Sequence, residues 1–122
     1  PPVSTVEITG RELRAMMEEN LERTFARDPY EQMGGYVKRC AGVSLYCKLE
    51  NPPGLRIQEF FAGGKRLDPD AVYQAAFVTE QGVPAKYGEN REALDIRAIE
   101  VLERYLARGP VRADLVGSVT AI

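Results

Sequence analysis

The residues best placed to do chemistry in this 122-residue chain lie in the run Asp28-Pro29-Tyr30-Glu31-Gln32-Met33-Gly34-Gly35. A carboxylate, a phenol, a carboxamide and two adjacent glycines in one short stretch suit a loop held against a ligand or another surface. Gly35 would let the backbone approach closely. The alternative is a packed helix-to-strand connection, in which Pro29 and the glycines set turn geometry and Tyr30 caps the core. Catalysis within the run has little support. The chain contains no histidine, the commonest general base and metal ligand near neutral pH. That excludes a Ser-His-Asp triad, a Cys-His pair and a histidine-rich metal centre. The acidic residues are scattered over helix faces and turns, so the chain is expected to hold neither catalytic residues nor a metal ion.

Other chemistry-bearing patterns have plainer readings. Gly63-Gly64-Lys65-Arg66 resembles a phosphate loop only superficially. It lacks the earlier glycine, the Ser/Thr after the lysine and a following helix, so a hairpin turn is expected. Asp68-Pro69-Asp70 lacks further oxygen ligands nearby and reads as a turn. Cys40 and Cys47 lie in one extended segment that would span about 23 Å at roughly 3.3 Å per residue. A disulfide needs Cα atoms within about 7 Å. Two unpaired cysteines are expected, with Cys47 in the core.

The elements that must position these residues follow from periodicity. Val3–Ile8 alternates and predicts a strand. Thr9-Gly10-Arg11-Glu12 has capping-box spacing. Leu13, Met16, Met17, Leu21 and Thr24 then recur at helical spacing, closed by Phe25, and Glu19 and Arg23 form an i,i+4 pair. Pro29 and Gly34-Gly35 end regular structure. From Val37 to Leu49 the period is two, with Leu45 and Cys47 on the buried parity. Asn51-Pro52-Pro53-Gly54 is a turn, Leu55–Ala62 a strand and Val72–Thr79 a buried-looking strand. Glu80–Asn90 reads as a loop. A second helix is expected near Asp95, with Asp95 as N-cap and Leu94 and Ile99 as a hydrophobic staple. Its apolar stripe is Ala98, Ile99, Leu102, Tyr105 and Leu106, and Gly109-Pro110 ends it. Val111–Ile122 is a weaker terminal strand. The fold class expected is α+β, with two main helices packed on a mixed, largely antiparallel β-sheet in a single domain over residues 1–122.

Composition sets wide bounds. With 44% hydrophobic residues, 28% charged residues and a formal net charge of −2, the chain reads as globular and advertises neither nucleic acid nor an anionic membrane as partner. No apolar run approaches the roughly 20 residues a membrane span needs. The opening Pro1-Pro2-Val3 has no basic or apolar signal-peptide region, which leaves the compartment open.

Taken together, Thr9-Gly10-Arg11-Glu12-Leu13, Leu67-Asp68-Pro69-Asp70-Ala71-Val72-Tyr73 and the block from Leu94-Asp95 to Tyr105-Leu106 resemble the C-terminal domain of the 5′-nucleotidase family, over nearly the whole chain. The resemblance implies a partner N-terminal metallophosphoesterase domain on the same polypeptide. That domain would hold two divalent ions, manganese or similar, and perform the hydrolysis. This chain would then be a fragment of a two-domain hydrolase, serve as a substrate-side lid and be inactive alone. Typical members carry a base-stacking aromatic residue and a double-glycine stretch after the strand corresponding to Val72–Thr79. Here Glu80-Gln81-Gly82-Val83-Pro84 stands instead, and a glutamate cannot stack on a base. Phe25 to Gly35 resembles instead the "F-x-x-DPYYQQGG" segment of the thiosulfohydrolase branch, which acts in the periplasm on a cysteine-bound sulfur carrier. The resemblance implies Asp28, Tyr30, Gln32, Gly34, Gly35, Glu80 and Gln81 as substrate-side residues, a sulfur-carrier protein or a nucleotide as partner, and a periplasmic or secreted location. Two alternatives stay open: a nucleotidase or cyclic-nucleotide phosphodiesterase domain with an altered base site, and a stand-alone binding module.

Overall fold

The computed structural model describes residues 1–33, 36–111 and 117–122. The element order is β1 (Pro2–Thr9), α1 (Gly10–Phe25), a 3-10 turn (Pro29–Glu31), β2 (Val43–Cys47), β3 (Ile57–Ala62), β4 (Lys65–Arg66), β5 (Val72–Phe77), β6 (Glu89–Arg97), α2 (Ala98–Leu106) and β7 (Val119–Ala121). The architecture is α+β, two helices with mixed, largely antiparallel sheets. The described residues divide into two compact units.

One unit comprises Pro1–Thr9 and the described residues from Val72 onward to Val111. Its sheet has the order β5-β1-β6, with both neighbours antiparallel to β1. Val6 and Ile8 alternate inward along β1 and are fully buried, and Val83 joins them in the core. At the end of β6 the chain enters α2 directly. Its first amide, on Ala98, donates to the Pro1 carbonyl at 3.0 Å.

The other unit comprises the described residues of Gly10–Ala71 and of the C-terminal strand. Its sheet runs β4-β3-β2-β7, in which β7 pairs parallel to β2 and makes the sheet mixed. The β3–β4 hairpin turns at Gly63 and Gly64, both at positive φ (59° and 79°). A two-residue turn that matches the twist of its strands requires that conformation. Leu13, Met16, Met17 and Leu21 of α1 are buried, as are Ala26, Leu45, Cys47, Ile57 and Phe60. Burial of these apolar side chains is the main favourable term holding the unit together.

The start of α1 is fixed by the backbone of the turn that precedes β5. Gly10 and Arg11 donate to the carbonyls of Ala71 and Pro69 at 3.0 Å each, and the Arg11 guanidinium meets Asp70 at 2.8 Å. These bonds satisfy two of the amides a helix start leaves open. A Cβ on Gly10 would stand 2.0 Å from the Asp68 carbonyl oxygen, so only glycine fits. The first residues of α1 and the Asp68–Ala71 turn are thereby two sides of one contact.

Several boundaries differ from the sequence expectation. The strand expected over Val37–Leu49 begins only at Val43, after a bend at Ala41–Gly42, and Tyr36–Cys40 lie outside any ladder. The strand expected from Leu55 begins at Ile57, and the terminal strand is the short Val119–Ala121. Phe25 does not close the helical stripe but is partly exposed, and Ala26 is buried in its place. The strand from Val72 ends at Phe77 and has no buried residue. Asp95 caps no helix: it lies within β6, α2 starts from Arg97, and Leu94 and Ile99 are exposed rather than stapled. Pairing with β1 recruits Glu89–Arg97 into the sheet despite its polar composition. The five residues of the expected α2 stripe are real, yet none is buried. Cys40 and Cys47 are free, with Cys47 buried as expected.

Candidate functional site

The run from Asp28 to Met33 is a tied-down strap over the end of α1. The Asp28 carboxylate accepts from the Tyr30 amide at 2.9 Å, and the Asp28 and Pro29 carbonyls accept from the Glu31 and Gln32 amides. These bonds build the 3-10 turn. The Gln32 side chain donates to the Ala26 carbonyl at 2.8 Å, and the Met33 amide donates to the Arg23 carbonyl at 3.0 Å. Beyond the strap, Asn20 on α1 holds the segment that leads toward β2. Its side-chain nitrogen donates to the Tyr36 carbonyl at 3.2 Å and its oxygen accepts from the Lys38 amide at 2.8 Å.

Those ties leave large side chains outside. Tyr30 is 97% exposed, Met33 72% and Tyr36 68%. Tyr30 therefore does not cap the core. Of the expected site residues, Asp28 and Gln32 shape the strap, whereas Tyr30 is presented by it. Gly34 and Gly35 lie outside the described residues. The strap offers a phenol and a thioether on a backbone held by hydrogen bonds, and Tyr36 is exposed on the segment beyond it. That suits recognition by amphipathic contact.

Glu80 and Gln81 belong to the other unit, where both are exposed. Their loop is held by Arg91 of β6. Its guanidinium donates to the Val83, Pro84 and Tyr87 carbonyls at 2.8, 3.0 and 3.2 Å and lies 4.7 Å from the centre of the Phe77 ring. The Tyr87 amide also donates to the Pro84 carbonyl. These bonds hold the backbone of the loop at Tyr87.

Sequence reasoning missed a buried polar cluster. Glu18, on the buried side of α1, accepts from the backbone amides of Arg56 and Ile57 at 3.2 and 2.7 Å. The buried Arg56 guanidinium pairs with Glu22 and donates to the Leu49 carbonyl at 3.1 Å. Every buried charge there has a partner, as burial demands. The signal available was the i,i+4 spacing of Glu18 and Glu22. Beside the cluster, a shallow groove of about 650 Å³ is lined by Arg11, Arg14, Glu19, Glu22, Arg23 and Gly54, among others. Its alternating charges favour neither anions nor cations.

The described residues gather no set of metal ligands. Among those described, no three His, Cys, Asp or Glu side chains gather to hold an ion, and the sequence supplies no histidine. Among the described residues no helix is long and apolar enough to cross a membrane. Burial pushes the Cys47 thiol above its ordinary pKa. Nearby Glu18 and Glu50 add to that rise and Arg56 opposes it. Burial likewise raises Cys40, and lowers Lys38, whose charge partly offsets the Cys40 shift.

The profile of the family described as "5'-nucleotidase, C-terminal domain" matches residues 1–79, and the chain belongs to that family. No curated protein sequence matches. Among solved structures, the Thermus thermophilus sulfate thiohydrolase SoxB in complex with glycerol is 30% identical, with TM-score 0.79 over 100% of this chain. A 5'-nucleotidase precursor from the same organism, Thermus thermophilus, is 21% identical, with TM-score 0.71 over 99% of the chain. A putative 5'-nucleotidase from Staphylococcus aureus is 13% identical, with TM-score 0.68 over 98%. The last two likenesses concern the fold. The chain spans 22%, 25% and 27% of the lengths of those three proteins.

Proposed function

We propose that this chain is the substrate-side domain of a two-domain, metal-dependent hydrolase, nearer the thiosulfohydrolase branch of its family than the nucleotidases. In this reading the residues that hold two divalent ions, manganese or similar, lie in a metallophosphoesterase domain N-terminal to this chain. The chain contributes recognition, and the strap bearing Tyr30 contacts the substrate or its carrier. The substrate is a sulfonate carried on a cysteine of a sulfur-carrier protein, and the setting is periplasmic or secreted. The observation that supports the branch most is the 30% identity to the sulfate thiohydrolase across the entire chain. The run Glu80-Gln81-Gly82-Val83, which offers no ring for a base, agrees with it.

The test compares substrates on the full-length polypeptide loaded with manganese. Faster turnover of an S-sulfonated cysteine peptide than of a 5′-nucleoside monophosphate is expected. Efficient nucleotide hydrolysis, saturating at micromolar substrate, would sink the branch assignment. The 122-residue chain alone is expected to hydrolyse no generic phosphate ester with added divalent ions. Turnover by the pure chain would overturn the lid reading.

A further inference from the structure

The helix α2 has the pattern of an element seated on a core, yet it has no buried residue. Ile99, Val101, Leu102, Tyr105 and Leu106 are each between 42% and 54% exposed. At 100° per residue, Ile99, Leu102, Tyr105 and Leu106 fall within about 120° of one another, with Val101 at the flank. Glu100 and Arg104 occupy the far side. An apolar stripe of that width normally faces protein, and an exposed patch of this kind marks an interaction surface.

We propose that this face of α2 is the docking surface for the catalytic part of the same polypeptide. The proposal rests on the two-domain reading above. Two observations select that occupant. The chain accounts for 22% to 27% of the length of the solved proteins it resembles, so most of each lies elsewhere. The second is size. Half of five such side chains is on the order of 450 Å², against roughly 800 Å² per partner in a standard stable interface. A second copy docking through the same face falls short of that area. A domain on the same polypeptide meets the face at an effective concentration on the order of millimolar, where a patch this small suffices. The complementary surface is apolar, with a polar group in reach of the Tyr105 hydroxyl, which needs a hydrogen-bond partner once covered.

The experiment places single cysteines in the full-length polypeptide, in a Cys40→Ser background, at Leu102→Cys and at Arg104→Cys. Both positions are exposed in this chain, and Leu106→Cys repeats the measurement on the same face. Maleimide labelling rates are read alongside light scattering and metal content. Labelling at Leu102→Cys and Leu106→Cys at least tenfold slower than at Arg104→Cys, in a monomer, is the expected result. Equal rates overturn the proposal. So does protection that vanishes on dilution together with a dimer, because the occupant is then a second copy. Metal content separates the two readings. Equal rates in a polypeptide that holds two ions per chain remove only the docking surface. A full-length polypeptide that binds no metal and hydrolyses neither substrate removes the two-domain reading and the docking proposal with it.

Discussion

Gly10 shows how one residue ties two distant segments together. With the Asp68 carbonyl 2.0 Å from where its Cβ would be, Gly10→Ala must push backbone apart. Overpacking of this kind costs on the order of 1–3 kcal/mol. Chemical denaturation should report a loss in that range, and an unchanged midpoint would show that the contact yields freely. Glu18 is the second such residue. Glu18→Ala leaves two buried amides without their acceptor and removes a charge beside Arg56. A loss of about 3 kcal/mol is expected, and the same denaturation measurement checks it. Cys47 makes a pH prediction. Its thiol pKa is raised in the folded chain, so its contribution to stability is complete below the ordinary thiol pKa of about 8.5 and is lost as pH climbs through the folded value. Cys40 acts in the same direction. Lys38, with its pKa lowered, acts in the opposite one. Cys47→Ala should therefore be less stable at pH 7 but decline less steeply between pH 8 and 10; parallel curves for the two proteins would contradict this.

At the level of elements, Asn20 binds the strap's continuation to α1 through two side-chain hydrogen bonds. Asn20→Ala should cost about 1–2 kcal/mol and speed proteolysis around Tyr36–Lys38. Cleavage no faster than in the parent chain would assign the hold to other contacts. The parts of the fold legible in the sequence were those with local causes. The β1 alternation, the α1 stripe, the Gly63-Gly64 hairpin and the inward parity of Leu45 and Cys47 all follow from neighbours a few residues apart. What was hidden depends on distant pairing. Strand β6 has a composition poor for strands and forms because β1 offers it an edge. That pairing also displaced the start of α2 from Asp95 to Ala98, where the Pro1 carbonyl takes the first amide. The site shows the same division. Turn chemistry marked Asp28–Gly35 as a special loop, but only the structure shows Asp28 and Gln32 holding the loop while Tyr30 faces out. Arg91, which fixes the loop bearing Glu80 and Gln81, carried no local signal because its hydrogen-bond partners are backbone carbonyls.

For the whole molecule, the two units present different surfaces. One carries the strap with Tyr30 and Met33, with Tyr36 beyond it, and the other carries the exposed stripe of α2. Among the described residues, neither unit gathers three side chains that could hold a metal ion. The division of labour proposed here puts recognition in this chain and the metal chemistry outside it. Tyr30 tests that division most directly. In the full-length, manganese-loaded polypeptide, kcat/KM should be measured for Tyr30→Ala on an S-sulfonated cysteine peptide and on a small generic ester. A well-placed interface tyrosine is worth about 2 kcal/mol or more, so a loss on the order of 30-fold is expected for the peptide, with the small ester unchanged. Equal rates for parent and variant on the peptide, or an equal loss on both substrates, would contradict a recognition role for the strap.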